Sequence, residues 1–244
     1  MYNSSQDADA LGWVRHAVDE ALDTPSAEGE LGIPRNALAL LQRLSEPSEL
    51  VALLTSVVAD SRALSAVGAD SFHHVLGFDK LILYSARPRG QLRLHVWWPG
   101  DPRRREHIHN HRFTFSSAVV TGSLRTHFYV SAEDGKSLRH FVESSDPRDR
   151  RWRFDEVGRT TLAETLVANL PAGTAYTMAP GMLHHIDASP GLTATVFLET
   201  ESTSPSSSVF VQPGDEEPRA GTQAPMDPAE LAIKLRQLCS YLSA

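Results

Sequence analysis

The 244-residue sequence predicts a mainly β protein, a barrel or sandwich of short strands with a helical segment before it and one helix after it. Three observations carry that expectation. Up to about residue 69, apolar residues recur at three- and four-residue intervals, the spacing of one face of a helix. From residue 76 to about 200 the period shortens to two, and pieces such as "PGDP", "AEDGK" and "SPG" punctuate the runs. The closing stretch "DPAELAIKLRQLCSYL" returns to helical spacing.

Taken in order, "LGWVRHAVDEAL", "PRNALALLQRL" and "PSELVALLTSVVADSRALSAV" are expected as three helices, with Pro34 and Pro47 where a first turn tolerates a missing N–H. "KLILYSARP" and "QLRLHVWWPG" open the strands. "FTFSSAVVT", "SLRTHFYV", "SLRHFVES", "DRRWRFDEV", "TLAETLVANL", "GTAYTMAP" and "LTATVFLET" follow as further short ones. The stretch "ESTSPSSSVFVQPGDEEPRAGTQAPMDP" is rich in Ser, Pro, Gly and acid; it is expected as a mobile connection with "SVFVQ" its one strand-like piece. Asp227 then caps and Pro228 starts a helix striped by Leu231, Leu235, Leu238 and Leu242, with Cys239 packed beside the stripe. The chain divides into a helical segment at 1–75, a barrel at 76–212, and a linker with its helix at 213–244.

Composition narrows the function. A hydrophobic share of 41% supports a sizeable core, and the formal charge of −7, with basic residues scattered apart from short clusters, argues against a nucleic-acid partner. No apolar run approaches the roughly 20 residues a bilayer requires, and the N-terminus has no basic start followed by an apolar stretch, so a cytoplasmic protein with no membrane partner is expected. The single cysteine excludes an intrachain disulfide and a cysteine-rich metal site. Any metal must rest on His, Asp or Glu.

Residues 107–111 read "HIHNH". Side chains alternate along a strand, so His107, His109 and His111 share a face. Further on, in "GTAYTMAPGMLHHI", Gly173 and Gly181 bracket a short strand and turn, and His184 follows Gly181 by three residues. The two segments together resemble the two motifs of the cupin superfamily, over roughly residues 80 to 200. Placing His109 and His111 on the His-x-His pair of the first motif puts Gly122 on its glycine and Phe115 on its glutamate. Gly173, Ala179 in place of proline, Gly181 and His184 match the second. The resemblance implies a single cupin barrel, a double-stranded β-helix or jelly roll. It also implies a metal held by His109, His111 and His184 without a carboxylate. Three-histidine cupins include thiol dioxygenases such as cysteine dioxygenase, which implies Fe(II). Imidazole chemistry alone suits Zn, Ni or Cu as well.

Beside these ligands, the candidate catalytic residues are Phe115, Arg93, Arg125 and His127. Phe113 and Phe115 share the parity of the histidines and should wall the site. Arg93 and Arg125 alternate with apolar neighbours, so each is a carboxylate anchor if that face is inner and a solvated residue if it is outer. His127 and His95 either reach the cavity or are hydrogen-bonded barrel residues. His107 is expected at the rim or behind a ligand, His185 pointing away, and His73 and His74 in packing or at the surface. The expected function is a mononuclear non-haem iron oxygenase or dioxygenase acting on a small polar metabolite, an amino acid or a thiol. Alternatives are a zinc or nickel isomerase or hydrolase, and a non-catalytic ligand-binding cupin. The expected partners are a small-molecule substrate and O2, with self-association as a homodimer left open.

Overall fold

The computed structural model describes residues 10–23, 36–102, 105–146 and 151–244, so Pro34 and the turn after residue 146 lie outside the described residues. Four helices come first: α1 (Ala10–Asp23), α2 (Ala37–Ser45), α3 (Pro47–Ala59) and α4 (Ser61–Asp70). The last two correct the expectation of one continuous helix. The apolar period runs through residue 60, but Asp60 leaves the helical region (φ −100°, ψ 107°), and its side chain accepts the backbone N–H groups of Arg62 and Ala63 at 2.8 and 3.2 Å. An aspartate satisfying the first free donors of a new helix competes with continuing the old one. The chain turns by 103° there. No single helix among the described residues is long and apolar enough to cross a membrane.

Twelve strands follow: β1 (Phe72–His74), β2 (Phe78–Ser85), β3 (Gly90–Trp97), β4 (Ile108–His109), β5 (Phe115–Thr121), β6 (Ser123–Asp146), β7 (Arg151–Pro171), β8 (Ala175–Met178), β9 (Leu183–Ala188), β10 (Thr193–Thr200), β11 (Ser206–Val211) and β12 (Gly221–Thr222). Helix α5 (Pro228–Leu242) closes the chain, and Asp227 caps it through the N–H groups of Ala229 and Glu230. The strands form two antiparallel sheets, ordered β1-β2-β3-β10-β5-β8 and β11-β4-β9-β6-β7-β12. Counting the eight strands from β3 to β10, one sheet carries the order 1-8-3-6 and the other 2-7-4-5. That interleaving is a jelly roll, two Greek keys wound together.

Two expected turns are absent. The pieces on either side of "AEDGK" form one strand, β6, because Ser131 and Lys136 both stand opposite Leu162 and the intervening residues bulge out of the ladder. Gly135 belongs to that bulge: a Cβ there would collide with the Leu162 backbone. Likewise the part of "DRRWRFDEV" from Arg151 onward merges with "TLAETLVANL" into β7. At the β5–β6 turn, Gly122 has φ +73°, and a Cβ would lie 2.5 Å from Leu192 O and Thr193 Oγ1. Only glycine fits such a corner.

The largest apolar cluster lies outside the barrel. Leu92, Leu94 and Val96 of β3, with Leu81, Ala118, Val196 and Leu198 from its neighbours, pack against helix residues such as Leu41, Leu44, Leu54 and Leu235. The helices therefore cover the outer face of the first sheet. The alternate residues of the same strands face the barrel interior, which is free to be polar. The connection after β11 is not a free linker. Residues 214–220 line the interior cavity, Gly221 pairs with Trp152, and Met226 N donates to Gly68 O and Ser71 O.

Candidate metal centre and its cavity

The two histidine segments meet on the inner face of the second sheet. His109 on β4 stands directly opposite His184 on β9, and His111 follows just beyond β4. One imidazole nitrogen from each lies within 4.8 Å of the others, with ring centroids 4.6, 4.9 and 5.2 Å apart. Two rings are fixed by the same device. His109 Nδ1 donates to His107 O and His184 Nδ1 to Met182 O, each at 3.0 Å and each to the carbonyl two residues earlier. A carbonyl can only accept, so Nδ1 carries the proton and Nε2 keeps a bare lone pair. His184 Nε2 is buried and has no hydrogen-bond partner among the described residues.

Burial also favours the uncharged form of two of these imidazoles, His111 and His184. Desolvation, and then the neighbouring His109, push His184 down to about 3, and the same causes with His184 added hold His111 well below its ordinary value. Three imidazoles with converging nitrogens, one of them orphaned, fit a divalent metal ion. The convergent group contains no carboxylate. Phe115 is almost fully buried, edge-on to His111 at 4.8 Å and stacked on Phe197 at 4.4 Å; Phe113 stacks on His111 at 5.2 Å. These rings close one side of the centre. His107 stands behind it: its carbonyl orients His109 while its Nε2 donates to Glu216 O at 2.8 Å.

The remaining candidates separate. Arg93 points inward and is 3% exposed, but its Nη1 is paired with Glu199 at 2.8 Å and its guanidinium lies 4.2 Å above the Phe197 ring. Part of its fork is thus taken by Glu199, while its Nε is buried without a hydrogen-bond partner among the described residues. Arg125 and His127 are corrections. On β6 the inward residues are Leu124, Thr126 and Phe128, whereas Arg125 is exposed and His127 stacks on His185 on the opposite face. Neither lines the cavity. Inward-facing apolar residues pack the barrel, and on the opposite face Arg125 meets water while His185 is buried beside His127.

The cavity, about 1120 Å³, holds Lys80 and Glu106, which the sequence did not single out, and His95, which it left as either reaching the cavity or being a hydrogen-bonded barrel residue. Lys80, His95 and Thr195 lie in one cross-strand row on the inner face of the first sheet. His95 Nε2 is buried without a hydrogen-bond partner among the described residues, and the Lys80 ammonium lies 5.6 Å from the centre of the Phe72 ring. Burial first, then repulsion from Arg93, lower the Lys80 ammonium to about 7. Glu106 also faces the cavity, where burial raises its carboxyl and Ile186 N donates to it at 2.7 Å. His74, expected in packing or at the surface, stacks on Phe78 inside the cavity. His73 instead pairs with Asp79 and Glu230. The only signal for Lys80 and His95 is their alternation with apolar residues, which says nothing of the register that sets them side by side.

No family model and no curated protein matches the chain. Among solved structures it is similar to hydroxypropylphosphonic acid epoxidase from S. wedmorenis, with 11% identity over 53% of each chain and a TM-score of 0.34. It is also similar to an RmlC-like cupin from Shewanella frigidimarina, with 14% identity over 54% of this chain and 83% of that one, TM-score 0.33. A variant of oxalate decarboxylase from Bacillus subtilis shares 12% identity over 57% of this chain and 29% of that one, TM-score 0.34. The chain spans about half the length of the epoxidase. With these TM-scores below 0.5, the jelly roll is defined by the strand order itself.

Proposed function

We propose that this protein is a mononuclear non-haem iron oxygenase acting on a small, anionic metabolite. The reading is supported above all by one observation: three imidazoles bring a nitrogen each to one point of a cavity, with no carboxylate among the converging ligand atoms. Iron(II) held by His109, His111 and His184 would supply the redox chemistry by which O2 is used. The chain does the rest. The carbonyls of His107 and Met182 keep two imidazoles in the metal-binding tautomer. Phe113, Phe115 and Phe197 exclude water from one side of the centre. Across the cavity, Lys80 offers a positive charge to an acidic group of the substrate, and His95 offers a ring nitrogen to a polar one.

The test is anaerobic loading with Fe(II), then addition of nitric oxide as an O2 surrogate. About one iron per chain and a nitrosyl spectrum that changes with substrate are expected. Stoichiometric zinc that iron cannot replace, with turnover under nitrogen, would favour zinc-dependent isomerisation or hydrolysis instead.

Lys80 gives this reading a pH signature. A lysine binds an anion only while protonated, so affinity for a small carboxylic acid or amino acid should be full below about pH 7 and should weaken as pH rises through and above that value. A bound anion holds the proton more tightly and moves the midpoint upward. A charge-assisted hydrogen bond contributes about 1.5–3 kcal/mol, so Lys80→Met should weaken binding roughly tenfold to hundredfold and flatten the pH profile. Parallel titrations of both proteins from pH 5.5 to about 9 check this; an unchanged profile in the variant removes Lys80 from substrate binding.

A further inference from the structure

On the opposite face of the same sheet, we infer that His127, His185 and Asp187 form a second divalent metal site, of the kind zinc takes with two imidazoles and a carboxylate. One ligand atom from each lies within 4.8 Å of the others. The hydrogen bonds around them fix where the lone pairs point. Glu164 Oε2 can only accept, and it receives His127 Nδ1–H at 2.8 Å and the Tyr129 hydroxyl at 3.2 Å. With its proton given to Glu164, the Tyr129 oxygen accepts from His185 Nδ1–H at 3.1 Å. In the neutral form each imidazole therefore presents its Nε2 lone pair on the side of Asp187.

Those two nitrogens face a carboxylate. His127 Nε2 is 3.5 Å and His185 Nε2 3.8 Å from Asp187 Oδ2, and His127 Nε2 is buried without a hydrogen-bond partner among the described residues. A lone pair set against a carboxylate repels it unless a cation, a proton or a metal ion, lies between them, and a metal ion can serve both nitrogens and the carboxylate at once. Zinc bonds to nitrogen and oxygen of about 2.0–2.2 Å place tetrahedral ligands about 3.4 Å apart, close to two of these separations. The two rings lie parallel with centroids 4.3 Å apart, on the same face of the sheet as Asp187. His185 is 2% exposed, whereas the Asp187 side chain is 53% exposed, which leaves the fourth position to water. Glu164 and Tyr129 orient the ligands from behind. An ion here would tie β6 to β9, the strand whose next residue, His184, faces the cavity.

The experiment is zinc titration of the full chain, with cobalt(II) as a spectroscopic probe of tetrahedral geometry. The parent should bind two equivalents, Asp187→Asn and His127→Ala one each, and the double variant His109→Ala/His111→Ala one. Asp187→Asn changes an exposed carboxylate to its isostere, so it should keep the fold. This result is separable from the proposed iron centre. If the inner histidines hold no metal, the parent binds one equivalent, which Asp187→Asn removes and the double variant retains. A parent stoichiometry that Asp187→Asn and His127→Ala both leave unchanged overturns the second site.

Discussion

Replacing His184 by alanine should empty the cavity of iron. Two imidazoles remain, and two ligands hold a divalent ion poorly against water. The loss should exceed the 10- to 100-fold typical when only a residue behind a ligand is removed, so an affinity decrease of more than about a hundredfold is expected. Turnover should disappear with it. The metal-free variant should be about as stable as the parent, because an unpartnered buried nitrogen costs about 1–3 kcal/mol and is removed together with the packing of its ring. Iron content and thermal unfolding, each with and without iron, separate these effects. The parent should gain stability on loading and the variant should not. A variant that keeps its iron and its turnover would show that His184 is not a ligand.

Phe115→Glu should separate metal binding from turnover. Phe115 is almost fully buried, edge-on to His111 and stacked on Phe197. Truncating such a ring costs about 3–5 kcal/mol, and an unpaired carboxylate in its place adds to the cost, so the metal-free variant should be markedly less stable in urea. Bound metal should restore much of that loss, since the new carboxylate can join the three imidazoles. Turnover should nevertheless collapse, because the added ligand fills a position that the phenylalanine leaves open. Urea melts with and without iron, beside steady-state rates, make the comparison. Full activity in the variant would place Phe115 away from the reacting centre.

Much of the centre was legible in the sequence because its geometry is local. The alternation of "HIHNH" puts His109 and His111 on one side of the chain, and the glycines around "GTAYTMAPGMLHHI" mark turns that the backbone makes, with φ of +85° at Gly173 and +86° at Gly181. Residues that act only through the backbone or through register were not legible. The hydrogen bond from His109 to the His107 carbonyl is of the first kind, and the row of Lys80, His95 and Thr195 is of the second. The "AEDGK" piece carries turn chemistry, yet β6 continues past it because the pairing with β7 resumes at Lys136. At Asp60, a capping side chain broke a helix whose apolar period continued without interruption.

The two arginines show where local pattern stops. Arg93 sits between Leu92 and Leu94 and Arg125 between Leu124 and Thr126, so each strand has a charged side and an opposite side that is buried. By itself the sequence determined that alternation, the helices at both ends, and the three histidines brought to one parity. It could not determine which parity is inside. The helices pack on the first sheet, so there the leucines turn outward to meet them and Arg93 turns into the cavity. No helix covers the second sheet in that way, so Leu124 turns inward and Arg125 meets water. Apolar surface goes wherever it is shielded from water, and only the tertiary arrangement of helices and sheets decides on which side of a strand that is.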